Sequence, residues 1–304
     1  MTDRFDWNDI QYFLETVRAG RVSGAAKRLG VSHTTVARHL AQLDRRLNNR
    51  LLDLDADGYS PTDAGAALIP LAEEMEARAT AILDRLQRPG ELSGRVRVGA
   101  PDGFGNAVLS RILPTLALQE PTLEVELVPV PSNHKLWNRE VDIAVSLDRP
   151  ESGRLVMQKL VDYDLRVYAA PSVLSREGIP TDREALPRFP FVGYIDELLY
   201  TPELDFNRLV HPSIRTRYKA VTVQAQLDAV IAGAGLGVLP CFMTRHTDLV
   251  AVLPDHVGFT RAYWLLYPED DREIARIRRV AAFIRASVQA RLSEFRYAPR
   301  PQSV

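Results

Sequence analysis

Apolar positions recur every three or four residues in three short blocks near the N-terminus, each closed by a glycine or an asparagine pair. Trp7, Ile10, Leu14 and Val17 mark the first block, with Asp6 the expected N-cap and Gly20 the stop. A second helix is expected from a Ser23 N-cap to Gly30, its small Ala25 and Ala26 allowing close approach of another helix. Ser32 is the expected cap of a third, in which Val36, Leu40, Leu43 and Leu47 form one apolar stripe. Its opposite face carries His33, Thr34, Ala37, Arg38, Ala41 and Arg45. From a Thr62 cap to about Arg88 the pattern predicts one long helix, in which Leu68, Leu71, Met75, Ala79, Ile82 and Leu86 make a narrow heptad-like seam. Such a seam fits pairing with a second copy; packing on its own domain is the alternative. Pro70 is expected to kink one turn, and "RPGELSG" to end the helix as a hinge.

Beyond residue 92 the period changes. Short apolar runs, "RVRVGAP", "LEVELVPV", "DIAVSL", "LRVYAAP", "FPFVGYI", "RTRYKAV", "LGVLP" and "AYWLLYP", read as strands. They alternate with helical stretches such as "NAVLSRILPTLALQ", "TVQAQLDAVIAGAG" and "DREIARIRRVAAFIRASVQA". This alternation predicts α/β architecture with mostly parallel sheet, and its length suits two lobes.

The formal charge of −1 hides an asymmetry. Residues 16 to 50 hold Arg18, Arg21, Lys27, Arg28, Arg38, Arg45, Arg46 and Arg50 against Asp44 alone, while Asp53, Asp55, Asp57 and Asp63 follow with no basic residue among residues 51 to 64. A basic head on a more acidic body is an electrostatic footprint for nucleic acid, with a solvated helical face as the alternative. Two capped short helices around a glycine turn, the second with an apolar side for docking and a side of small, polar and cationic residues, suit entry into a major groove. Small side chains let the backbone approach, and Arg38 can pair with guanine O6 and N7 or with phosphate.

The segment "AAKRLGVSHTTVARHLAQLDRRLNNRLLDL" followed by "YSPTDAG" resembles the N-terminal signature of the LysR-type transcriptional regulators in order and spacing. The resemblance implies a winged helix-turn-helix over residues 1–60, a linker and dimerisation helix with its hinge over 61–90, and an effector domain over 91–304. It places Ser32, His33, Thr34, Thr35, Arg38 and His39 on the recognition helix; with Arg28 and Arg45 these are the expected DNA-contacting residues. Ala37 stands where the family usually has serine, and Leu54 where it usually has arginine. The wing "DLDADGYS" is acidic, so the helix, not the wing, is the expected reader of DNA.

The likeness continues through "VDIAVSL", "AVIAGAGLGVLP" and "YWLLYPEDDREIARIRRVAAFI". It implies a domain like a periplasmic binding protein, with lobe I over 92–165 plus 264–304, lobe II over 168–262, and strands near "LRVYAAP" and "RAYWLLYP" crossing between them. In such a cleft the loops at strand ends and the helix N-termini hold the ligand. The expected effector contacts are Asp102, Gly103, Phe104, Gly105, Ser132, Ser146, Tyr194, Thr222 and Gln224. For each, turn or capping chemistry is the competing role. Asp102 would repel an acid effector unless it points into its own helix.

The partners implied are double-stranded DNA with a two-fold symmetric operator, a small-molecule effector, a second copy in a dimer or tetramer, and RNA polymerase. No membrane partner, cofactor or metal is expected, and a cytoplasmic location is, since no segment reads as a signal or a span. An enzyme, or a small-molecule-binding protein with an incidental helical extension, is the rival class. His33, His39, His134, His211, His246 and His256 lack metal-ligand spacing, and "GxSxG", "GxxxxGK[ST]" and "HExxH" do not occur. "GAGLGV" fails as a dinucleotide loop because Val238 takes the sixth place and a strand follows it. Cys241 is expected to be buried and inert, with a redox sensor as the alternative.

Overall fold

The computed structural model describes residues 6–55, 58–86, 92–129, 141–150, 154–199 and 204–299. The chain forms two compact units, one built on residues up to Leu92 and the other on most of those from Ser93 onward.

The first unit contains α1 (Trp7–Ala19), α2 (Val22–Leu29), α3 (His33–Leu47), the antiparallel hairpin β1 (Leu52–Leu54) and β2 (Tyr59–Pro61), and α4 (Asp63–Leu86). Asp6 caps α1 by accepting the Asn8 N–H, and Gly20 ends it at φ 64°, a conformation that costs glycine little. Ser23 is not the cap of α2. Arg21 holds that place in extended conformation without a side-chain bond, and its carbonyl accepts the Gly24 and Ala25 N–H groups. The turn after Gly20 is so tight that the helix restarts before the serine. Ile10, Phe13, Leu14, Leu43, Leu51, Leu52 and Ala72 form the core of the head, while Ala25, Ala26 and Val36 pack where α2 meets α3.

The hairpin is pinned to the rest of the head. The Tyr59 N–H donates to the Gly20 carbonyl at 2.8 Å, and Gly58 lies at φ 132°, where a Cβ would strike that same carbonyl. Asp55 organises the hairpin turn, accepting from the Gly58 N–H at 3.0 Å and from the Ser60 hydroxyl at 3.3 Å. Thr62 caps α4 through the Gly65 N–H and donates its own hydroxyl to the Arg50 carbonyl. The helix continues through Pro70. Its seam divides: Leu68 packs on the head core beside buried Ala72, whereas Leu71, Met75 and Ile82 are 60%, 38% and 58% exposed. The side chain of Leu86 lies outside the described part of the structure, as do Asp57 and Ser132.

The second unit contains β3 (Gly94–Ala100), a helical run of α5 (Asp102–Phe104), a π turn (Gly105–Leu109) and α6 (Ser110–Gln119), then β4 (Leu123–Pro129), β5 (Ile143–Ser146) and the long β6 (Leu155–Ala169). After α7 (Pro171–Glu177) come β7 (Phe191–Gly193), α8 (Phe206–Val210), β8 (Thr216–Lys219), α9 (Val223–Ile231), β9 (Gly237–Pro240), α10 (Cys241–Thr244) and β10 (Val250–Val252). The long β11 (Gly258–Pro268) and α11 (Ala275–Gln289) follow. One sheet runs β10-β6-β11-β5-β3-β4 with β9 also against β6, and β7 and β8 form a small parallel sheet.

The large sheet is mixed and not mostly parallel. β3 is parallel to β4 and β5, but β11 is antiparallel to β5 and β6, as β9 and β10 are to β6. The cause is the length of two strands. β6 and β11 pair from Leu155 with Pro268 to Arg166 with Gly258, broken by one bulge at Tyr263/Trp264. They serve the β5 side at one end and the β9 side at the other, which fits the crossing strands of a two-lobed domain.

The C-terminal segment straps this crossing. Asp164 on β6 accepts the Tyr297 N–H at 2.9 Å, the Thr260 hydroxyl of β11 at 2.7 Å and Arg296 at 3.2 Å, while the Asp164 N–H donates to the Phe295 carbonyl. Phe295 is buried against Phe104 and Phe242. Burial alone would raise the Asp164 carboxyl; the Tyr297 N–H, the Thr260 hydroxyl and Arg296 outweigh it and hold the group below the usual carboxylate range. A depressed folded pKa contributes stability that is present above the unfolded value of about 3.9 and lost as pH falls through the folded one. Asp164→Asn is therefore expected to destabilise the second unit by about 1–3 kcal/mol at pH 7. In thermal unfolding, the gap between wild type and variant should hold down to about pH 5 and shrink below about pH 4.

Candidate nucleic-acid interface and effector cleft

The seat of α3 sorts its side chains. Val36 and Leu43 are fully buried, and Leu40 and Leu47 pack on the core. Ser32 caps the helix through the Thr35 N–H, and its hydroxyl lies 2.8 Å from that of Thr34 and 2.9 Å from that of Thr35. A second anchor is polar. Asp9 of α1, 1% exposed, accepts from His39 Nδ1 at 2.6 Å and from the Arg46 guanidinium at 2.8 Å. The His39 ring also stacks on Tyr12, centroids 4.0 Å apart. Arg18 ties α1 to α4 with two bonds to Glu76 of 2.6 and 3.0 Å, and it also bonds Glu15. Burial opposes the Arg18 charge, but the carboxylates of Glu76 and Glu15 more than restore it and raise its pKa.

What these anchors leave outside is one face. Ser32, His33, Thr34, Ala37, Arg38, Ala41 and Arg45 are exposed, and Thr35 is half-buried at its edge. Among the described residues Arg38 and Arg45 make no ion pair, so their charge is available to a ligand. Arg28 is exposed but leans to Glu15 at 3.6 Å. His39 belongs to the seat of the helix instead of its free face.

The second unit brings only some of the expected effector residues together. A cavity of about 20 Å³ is lined by Asp102, Gly103 and Tyr194 with Tyr163, Tyr263, Val223 and neighbours. Asp102 accepts the Gln224 N–H at 3.1 Å, and Thr222 caps α9 through the Ala225 N–H. The Gln224 side chain instead donates to Asp228, one turn along its own helix. Phe104 is fully buried against Tyr263, Phe242 and Phe295, and Gly105 carries the π turn. Ser146 is buried and closes a turn with Asp148, donating at 2.8 Å and accepting at 3.2 Å. Burial pushes the Asp102 carboxyl above its ordinary range, against the pull of the Gln224, Gly103 and Val223 N–H groups. It also pushes the Cys241 thiol up, which lowers its thiolate fraction. Tyr163 and Tyr263, absent from the expected contacts, stack at 4.3 Å on the crossing strands; Tyr263 stands in the strand "AYWLLYP", but Tyr163 lies in the polar-interrupted half of β6, and no local signal marks that they meet. Among the described residues no cluster of His, Cys, Asp and Glu could hold a metal ion. No helix among them is long and apolar enough to cross a membrane.

Two family models match this chain: "LysR substrate binding domain" over residues 89–289, and "Bacterial regulatory helix-turn-helix protein, lysR family" over residues 7–66. The chain belongs to the LysR family of transcriptional regulators. It is 27% identical to the Mau operon transcriptional activator of Paracoccus denitrificans, over 90% of this chain and 94% of that protein. It is 28% identical to the regulator PtxR of Pseudomonas aeruginosa, over 86% of each. Its fold is that of ArgP from Mycobacterium tuberculosis, with TM-score 0.68 at 17% identity, covering 94% of this chain and 98% of that one. CrgA from Neisseria meningitidis follows with TM-score 0.57 at 20% identity, covering 94% and 99%. In a LysR-type regulator the helix-turn-helix is the DNA-binding part, and α3 is its second helix.

The Asp9 anchor makes a direct claim on this regulator's head. Asp9→Ala removes the common partner of His39 and Arg46 and leaves a buried gap. It is expected to cost about 3 kcal/mol of head stability, read by urea denaturation. Ala substitution of exposed Ala41's neighbour Gln42 is expected to change stability by less than about 0.5 kcal/mol.

Proposed function

We propose that two copies of this regulator pair through the exposed Leu71, Met75 and Ile82 row of α4 and set their α3 helices in successive major grooves of a two-fold symmetric operator. Arg38 meets a base edge there, Arg45 meets phosphate, and Ser32, His33, Thr34 and Thr35 contribute the polar contacts of the first turn. Arg28 adds charge near the backbone, and His39 positions the helix. The observation that carries this reading is the sorting of α3: apolar side and Asp9 anchor inward, unpaired cations outward. The wing takes a lesser part, because its exposed Asp53 already pairs with Arg50 at 3.5 Å while Asp55 is engaged in its own turn.

A small molecule entering between the lobes of the second unit shifts the balance between two assemblies of the oligomer, and with it the pose of the heads. RNA polymerase is the downstream partner, and the chain acts in the cytoplasm by binding, not by catalysis. Its relatives, the Mau operon transcriptional activator among them, support regulation of transcription. A helix-turn-helix family match over residues 7–66 speaks against the rival reading of an incidental N-terminal extension.

Two measurements test this. In titrations of operator and random duplex, Arg38→Ala should weaken operator binding by about 1–3 kcal/mol and random binding much less. Equal losses on both would make Arg38 a phosphate contact. Ile82→Glu should shift the wild-type oligomer toward smaller species in sedimentation, since it puts a charge on the exposed apolar row. An unchanged sedimentation profile would remove α4 from the interface.

A further inference from the structure

The first turn of α9 is the place in the cleft where an acid ligand would find N–H donors, and two of them are taken from within the chain. Gln224 gives its N–H to the Asp102 carboxylate at 3.1 Å, and Ala225 gives its own to Thr222 Oγ1. Asp102 stands on α5, across the cleft and 122 residues away in the chain. The two sides also touch directly. Gly103 has no room for a side chain, since a Cβ would lie 2.5 Å from Val223 Cγ1 and 3.1 Å from the Met243 sulfur. The remaining cavity, about 20 Å³, holds about one water.

We infer that Asp102 is the cleft's resident anion: its carboxylate occupies the α9 seat, latches the two sides of the cleft together, and excludes carboxylate effectors from that seat. This rests on reading the cleft as the effector site. A carboxylate offered from outside must both displace Asp102 and tolerate its negative charge nearby, two costs that act in the same direction. The natural effector is then one that makes no use of the α9 N-terminus, a neutral or cationic small molecule that meets Asp102, Tyr194 and the Tyr163/Tyr263 pair only once the two sides part, since the closed cavity has room for about one water.

The test uses the full chain with acetate and benzoate as probes, comparing wild type with Asp102→Ser, and with Asp102→Asn should the serine variant fail to fold. In wild type neither probe should show saturable binding by calorimetry. In Asp102→Ser the Gln224 amide should exchange hydrogen roughly tenfold faster. The vacated seat should then take up a probe saturably, in roughly the millimolar range. Asp102→Asn keeps an acceptor and loses the charge, so its exchange should stay near wild type while probe uptake rises. Three results would overturn the inference: wild type binding the probes as tightly as the variants, Gln224 exchange unchanged by serine, or faster exchange without probe uptake. Loss of duplex binding by wild type would defeat the functional reading separately, because neither readout here involves DNA.

Discussion

A single buried carboxylate, Asp9, holds the arrangement on which DNA recognition depends. One oxygen meets His39 and the other meets Arg46, so a charge on α1 fixes both the middle and the C-terminal half of α3. Hydrophobic burial of Val36 and Leu43 sets which side of the helix faces inward, but being nondirectional it would tolerate small rotations about the axis. Two hydrogen bonds to one rigid acceptor do not. The rotation they select turns Arg38 and Arg45 to solvent. Among the basic residues of the head, Arg18 and Arg46 are neutralised internally and build the fold, whereas Arg38 and Arg45 make no ion pair among the described residues and are the cations the proposed function assigns to DNA.

The second unit solves a different problem with similar means. Two long strands cross the domain, and motion about them would be soft without further ties. At one point the C-terminal segment binds β6 to β11 through Asp164, Thr260 and Arg296. At another Asp102 reaches the first turn of α9. Both ties are carboxylates accepting backbone N–H groups, yet their surroundings push them in opposite directions, Asp164 down by its added cation and hydroxyl, Asp102 up by burial. The first is a fixed strap. The second is the contact of the cleft's resident anion, Asp102.

Local signals were legible in the sequence where a side chain caps its own helix. Asp6, Ser32, Thr62 and Thr222 each act as caps, and the α3 stripe Val36–Leu40–Leu43–Leu47 packs inward as its spacing required. Ser23 misled because a serine inside a first turn looks the same as one preceding it; the tight turn at Gly20 decided the matter. The N-terminal half of β6 was missed, since Gln158, Lys159, Asp162 and Asp164 break its apolar pattern, and the antiparallel pairing of that strand with β11 lies beyond any local signal. Long-range polar contacts were equally hidden. Nothing in the spacing of Asp9 and His39, or of Asp102 and Gln224, announces that they meet. In the cleft the capping roles noted for Asp102 and Thr222 are the ones found, except that Asp102 caps a helix from another part of the chain.

The central claim is that the uncompensated cations of α3 form the DNA-facing surface while the paired ones do not. The most direct measurement is arginine modification of the full chain by phenylglyoxal, read by mass spectrometry with and without operator duplex. The account predicts that Arg38 and Arg45 react in the free protein and are shielded by duplex, with Arg18 unreactive throughout. Modification of Arg38 at the same rate with duplex bound as without it would contradict the account.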